Sequence, residues 1–236
     1  MKKVGLVLQG GGMRVLYTAG VLDTFLEEGI ITPETSYPCY GGFVHSGLRV
    51  GCHGHPSPLP LVPAIATSCN GYFCWGLYYM LNNRSEYADI QDAMTRWKDY
   101  MVSMGFGYKL GVDLPGESRG FIPNAGYYDS AYKGSWNPLS VISISIGQGE
   151  VTLTPLQIAN LGATIANRGH YITPHIVKEI GGEPLHDSLL VEHRTMVDRE
   201  WYDNIVRGMR QAVTGGTCRG ANSALYDVCG KTGTAQ

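Results

Sequence analysis

Ala66-Thr67-Ser68-Cys69-Asn70-Gly71-Tyr72-Phe73 and, much later, Lys231-Thr232-Gly233-Thr234-Ala235-Gln236 are the stretches whose joint reading decides the fold. The first lies in an apolar segment that opens near Pro63 and reads as a helix running into Tyr79. The second closes a run from Tyr226 to Thr234 that reads as a strand. Between them, an apolar stripe of Tyr87, Ile90, Met94, Trp97 and Met101 after Ser85 predicts another helix. Thr154-Pro155-Leu156-Gln157 is a capping box with proline at the first helical position, and Gly169 ends the helix it opens. Asp198 is the expected cap of a helix bearing Trp201, Ile205 and Met209 on one face, stopped by Gly215-Gly216. Upstream, Val4 to Leu8 reads as a strand and Val15 to Glu28 as a helix, with Val21, Leu22, Phe25 and Leu26 on one face. The stretch from Ile31 to Pro63 has little periodicity and reads as one long ordered loop. Helices gathered ahead of a late strand predict segregated α+β packing.

Bulk properties fit one globular domain, or one and a part. The 236 residues are 44% hydrophobic and 16% charged, with a formal net charge of -2. That balance gives no electrostatic reason to expect nucleic acid as a partner. Gly, at 32 residues, and Tyr, at 15, suggest many tight turns and aromatic surface. No apolar run reaches the roughly 18 to 20 residues that span a bilayer, and the apolar run after Met1 is short for a secretory signal. The expectation is a chain without an export signal or anchor.

Ser-x-Asn or Lys-Thr-Gly alone occurs by chance in many proteins. Together, in this order, they match two of the three elements of penicillin-reactive serine acyltransferases. With Leu153-Thr154-Pro155-Leu156-Gln157-Ile158-Ala159-Asn160, Asp113-Leu114-Pro115-Gly116-Glu117 and Ser145-Ile146-Gly147-Gln148-Gly149, residues 30–236 resemble class B penicillin-binding proteins, nearest the elongation-type penicillin-binding protein 2. The resemblance implies a penicillin-binding transpeptidase fold of the serine β-lactamase type, with an antiparallel sheet and a helical subdomain, here cut short at both ends. It implies acyl transfer on the D-Ala-D-Ala end of peptidoglycan stem peptides, sensitivity to β-lactams, elongation-complex partners and a periplasmic place on the inner membrane. No cofactor is required for that chemistry. Residue types agree with it: Ser68 can relay a proton and Asn70 can hold a peptide backbone. Lys231 and Thr232 suit a terminal carboxylate, while Gly233 leaves room beside the strand and Thr234 follows on the substrate side.

The family's nucleophile stands in Ser-x-x-Lys at the start of a helix. Val15-Leu16-Tyr17-Thr18 occupies that place, so the nucleophilic serine and its lysine are expected to be missing. Val7-Leu8-Gln9-Gly10-Gly11-Gly12-Met13-Arg14, with Tyr17-Thr18-Ala19-Gly20-Val21-Leu22, instead resembles the opening of patatin-like phospholipases. Residues 1–29 are read as that segment, joined to the transpeptidase part between Leu26 and Ile30. A patatin-like acyl hydrolase and a non-catalytic module binding stem peptides or elongation proteins are the alternative functions. Gly116-Glu117-Ser118-Arg119-Gly120 fits the hydrolase's elbow pattern but has no hydrophobic strand before it.

Cys39, Cys52, His55 and Cys69 form a candidate structural zinc set, although their spacing is not that of a zinc finger. A Cys39–Cys52 disulfide and unpaired thiols are the competing readings. Ligands at this spot are also implied by the elongation-type relatives. Cys74 reads as a core residue, and Cys218 and Cys229 as paired or singly buried.

Overall fold

The computed structural model describes residues 4–9 and 14–233. Strand β1 (Val4–Gln9) leads to helix α1 (Arg14–Glu27), which runs through the middle of the molecule. From Tyr17 onward almost every α1 side chain is buried, and the helix packs on α3 (Asn70–Asn82), α4 (Ile90–Ser103), α6 (Pro155–Ala166) and α7 (Trp201–Thr214). Gly76 lets α3 approach: a Cβ there would stand 2.5 Å from the Phe25 ring. Gly208 likewise admits Ile65 between α7 and α2 (Leu61–Ala66).

The helix expected from Pro63 to Tyr79 is in fact two. Thr67 closes α2 with its hydroxyl on the Pro63 carbonyl (2.9 Å), and Ser68 reverses the chain at φ 56. Cys69 then opens α3, its sulfur accepting from the Tyr72 N–H at 3.4 Å. Apolar periodicity passes straight through such a break, because it registers faces and not the one left-handed residue between them.

The long segment from 31 to 63 also holds structure the pattern did not announce. Strands β2 (Gly42–His45) and β3 (Leu48–Gly51) form an antiparallel hairpin turned by Ser46 and Gly47, both at positive φ. A two-residue Ser-Gly turn is the available signal for it. Helix α5 (Ala125–Ala131) follows α4, capped by Asn124, whose side chain accepts from the Tyr127 N–H.

The capping box of α6 forms as read: the Thr154 hydroxyl accepts from the Gln157 N–H at 3.1 Å, and the Gln157 side-chain oxygen accepts from the Thr154 N–H at 3.0 Å. Strand β4 (His170–Ile172) pairs antiparallel with β7 (Glu192–Arg194), and β5 (Glu179–Ile180) with β6 (Glu183–Pro184). Helix α7 is not capped by Asp198. Its first residue follows Glu200, while the Asp198 N–H donates to the Glu27 carboxylate and ties α7 to the end of α1. The last strand, β8 (Asp227–Thr232), pairs parallel with β1 in the register Leu8 to Lys231. The arrangement is α+β, but the pair bearing Lys231 is parallel where an antiparallel sheet was expected.

Helix α1 carries buried polar groups that find no partner among the described residues: both carboxylate oxygens of Asp23, the Tyr17 hydroxyl and the Thr18 hydroxyl. Burial raises the Asp23 pKa well above the usual carboxylate range, because desolvation disfavours the charged form. A folded pKa above the unfolded one contributes stability that is present below the unfolded value and lost as pH rises through the folded one. Thermal melts should therefore show stability falling from acidic toward neutral pH. Asp23→Leu should remove that slope and stabilise the chain at neutral pH by about 1–3 kcal/mol; an unchanged melting temperature would count against this account.

Candidate active site

The Ser68 turn and the end of β8 meet across one cavity of about 280 Å³. Ser68, Asn70, Lys231, Thr232 and Gly233 all line it, with Thr18, His53, Ile146, Gln148 and Thr217 completing the wall. Residues 163 positions apart in the chain are brought into direct contact there: Lys231 Nζ donates to Ser68 Oγ at 2.6 Å. The same ammonium donates to the Thr232 carbonyl at 2.7 Å and lies 5.5 Å from the Phe73 ring centre. Thr234 falls outside the described residues.

Local structure explains this placement. The turn is anchored because Ser68 and Cys69 donate their N–H groups back to Ile65 and Ala64. The loop after α7 is drawn in when the Thr217 N–H donates to the Ala66 carbonyl at 3.0 Å. That brings the Thr217 hydroxyl to 2.7 Å from the Thr232 hydroxyl. Asn70 is held from two sides, its side-chain amide donating to the Gly51 carbonyl and its backbone N–H to Cys52 Sγ. Among the described residues nothing donates to its side-chain oxygen, so a ligand can.

Lys231 is fully buried, and desolvation lowers its pKa to about 8. The site thus presents a cation whose attraction for a carboxylate is strengthened by the absence of water. Thr18, on α1, lines this cavity from the position where the family places its second dyad member; Val15's side chain lies outside the described ones.

The expectation that the dyad is missing needs one correction. Ser130-Ala131-Tyr132-Lys133 does spell Ser-x-x-Lys. It cannot serve the cavity: α5 ends at Ala131, Lys133 turns at φ 53, and both Ser130 and Lys133 are exposed and absent from the lining. A dyad needs both residues on one helical turn facing the cleft, so the string is incidental. Gly116 to Gly120, the alternative elbow, lies in a loop with no strand before it and an exposed Ser118. Glu117 there accepts backbone N–H groups from Leu110, Gly111 and Val112, a loop-closing role.

Beside the cavity, the donor atoms of Cys39, Cys52, His55 and Cys69 all lie within 4.8 Å of one another. All six cysteines are free, so Cys39 and Cys52 do not form the disulfide weighed against a metal. Cys52 Sγ is 3.4 Å from His55 Nε2. Hydrogen bonds from Cys69, the Asn70 N–H and His55 lower its pKa to about 4, which favours the thiolate. Its neighbours shift the other way: the Cys52 hydrogen bond raises Cys69, and burial raises Cys39. Three sulfurs and one imidazole at this separation fit a tetrahedral metal ion, which would favour the thiolate form of all three cysteines. Cys74 is buried in the core as read, and Cys218 and Cys229 are buried singly.

Fold and cavity together define a serine-acyltransferase scaffold, with the hydroxyl and cation motifs facing one cleft. The chain belongs to the penicillin-binding protein transpeptidase domain family, whose model matches residues 22–236. It is 38% identical over 179 residues to the peptidoglycan D,D-transpeptidase MrdA of Acinetobacter baumannii, covering 73% of this chain and 24% of that protein. The Haemophilus influenzae protein of the same name is 33% identical over 220 residues, covering 89% and 32%. The crystal structure of Pseudomonas aeruginosa PBP2 in complex with WCK 5153 superposes with a TM-score of 0.73 at 27% identity, covering 88% of this chain and 44% of that one. The chain thus spans about a quarter to a third of the length of these curated relatives. Among the described residues no helix is long and apolar enough to cross a membrane.

The Lys231 environment has a pH signature. Its folded pKa lies near 8, below the ordinary 10.5, so between those values the unfolded chain binds the proton more tightly. Stability should rise with pH across that window, because the burial cost of the charge is relieved there. Lys231→Met should flatten the rise; an equal slope in both proteins would refute the assignment.

Proposed function

We propose that this chain is the substrate-binding portion of a peptidoglycan D,D-transpeptidase of the elongation type. The observation that carries the reading is the buried Lys231 ammonium set against Ser68 and Thr232 on one cavity, with Asn70 at its rim. A D-Ala-D-Ala stem peptide would place its terminal carboxylate at Lys231 and Thr232, its backbone on the Asn70 side-chain oxygen, and its edge along Gly233. In the complete reaction Ser68 would pass a proton to the departing D-Ala amine. The dyad that attacks the carbonyl has no counterpart in Val15 to Thr18, so the chain binds this substrate without turning it over.

Residues 1–29 are proposed to be a patatin-like segment joined near Leu26 to Ile30. Asp23, Tyr17 and Thr18 find no partner among the described residues, which supports this, as such groups suit a helix selected for other surroundings. The periplasmic face of the inner membrane is the proposed setting. One structural relative is a complex between PBP2 and MreC from Helicobacter pylori, and elongation-complex proteins are the proposed partners here too.

An N-acetylated peptide ending in D-Ala-D-Ala should bind measurably by calorimetry, and Lys231→Met should weaken it at least about ten-fold. Equal binding of the amidated peptide would sink the carboxylate assignment. A fluorescent penicillin should leave no stable adduct, and an intact-mass shift equal to the β-lactam would overturn that expectation.

The cysteine and histidine cluster is proposed to hold one structural zinc ion. Metal analysis of purified chain should find about one equivalent, with Cys52→Ser losing it and lowering the melting temperature. Zinc retained by that variant would exclude the cluster.

A further inference from the structure

The Ser68–Lys231 contact has the parts of a catalytic pair in its own right. A buried lysine is stripped of the water that stabilises its charge, and so gives up its proton and can receive one from a hydroxyl. Lys231 meets that condition: it is 1% exposed, lies near the Phe73 ring, and hydrogen-bonds Ser68 and the Thr232 carbonyl. Serine paired with lysine is a recurrent nucleophile–base arrangement. Ser68 is also held as nucleophiles often are, at φ 56 in a tight turn between two helices, partly exposed at a cavity. A non-glycine residue in the left-handed region costs about 1–3 kcal/mol, which the anchored turn sustains.

We infer that Ser68 is a nucleophile, with Lys231 as its base, and that the chain acylates itself with small, neutral, activated esters. Ser68 Oγ forms the bond to the ester carbonyl carbon while its proton passes to the Lys231 amine, in the fraction of molecules in which that amine is unprotonated. The bond to the aryloxide then breaks, and the phenolate leaves with the electron pair. Water attack on the new seryl ester returns free serine and releases the acid. A substrate bearing a carboxylate behaves differently. Its anion pairs with Lys231, keeps the amine protonated and removes the base. The pair therefore reacts with neutral esters and is silent toward carboxylate ligands such as penicillins.

The reagent for the test is 4-nitrophenyl acetate. Digestion and peptide mapping of the purified wild-type chain should place a single fast-forming acetyl group on Ser68. Ser68→Ala should lose it, and Lys231→Arg, which keeps the charge but cannot act as a base, should slow it at least about ten-fold. Acetylation of Cys52 or of other residues in place of Ser68, or an undiminished rate in Lys231→Arg, would overturn the proposal. Mapping on the wild-type chain decides this even where a variant fails to fold. The same reaction run with the D-Ala-D-Ala peptide should be slower. Labelling of Ser68 that is indifferent to the peptide would overturn the substrate-binding reading and leave the nucleophile standing.

Discussion

A lysine ammonium with almost no solvent exposure needs hydrogen-bond acceptors at fixed positions, and much of this structure supplies them. Lys231 reaches Ser68 only because α2 stops at Ala66 and the chain reverses before α3 begins. The reversal holds because Thr67, Ser68 and Cys69 all bond back into α2, and because the loop after α7 donates to Ala66. The second acceptor, the Thr232 carbonyl, is fixed by the pairing of β8 with β1. Each of these elements is ordinary alone. Their convergence creates a dry, positively charged pocket wall, which is the property an anionic substrate end requires.

The cysteine cluster belongs to the same assembly. Cys69 stands between Ser68 and Asn70 and caps α3, while Cys52 accepts the Asn70 N–H. Gly71 passes so near Cys39 that a Cβ would lie 3.0 Å from its sulfur. Whatever occupies the four donor atoms therefore bears directly on the position of the two polar side chains at the cavity rim. A segment from 31 to 63 with few helical or strand contacts of its own is tied to the site by this cluster and by the β2–β3 hairpin.

Helix α1 shows the opposite situation. Its apolar face, from Val21 to Leu26, fills the centre of the molecule well, yet Asp23 and Tyr17 carry polar atoms into that interior without partners among the described residues. Binary pattern was sufficient to place the helix, whereas satisfaction of buried polar groups was not achieved. The amphipathic stripe was accordingly legible over this segment, and the mismatch was not, since it arises from neighbours contributed by α3, α6 and α7.

Residue order alone determined the family, the α+β class, the capping box at Thr154 and the identities of Ser68, Asn70, Lys231 and Thr232 as candidate site residues. These are local signals, short strings or regular spacings whose meaning does not depend on distant parts of the chain. It also named the four metal-ligand candidates, though their spacing matched no pattern. Tertiary structure decided the rest: the break at Ser68, the parallel pairing of β8, the exclusion of the Ser130 to Lys133 string, and the absence of a Cys39–Cys52 bond. It alone put a lysine against a serine 163 residues away and took the water from around it. Charge state and reactivity follow from burial and partners, and those are properties of the packed chain.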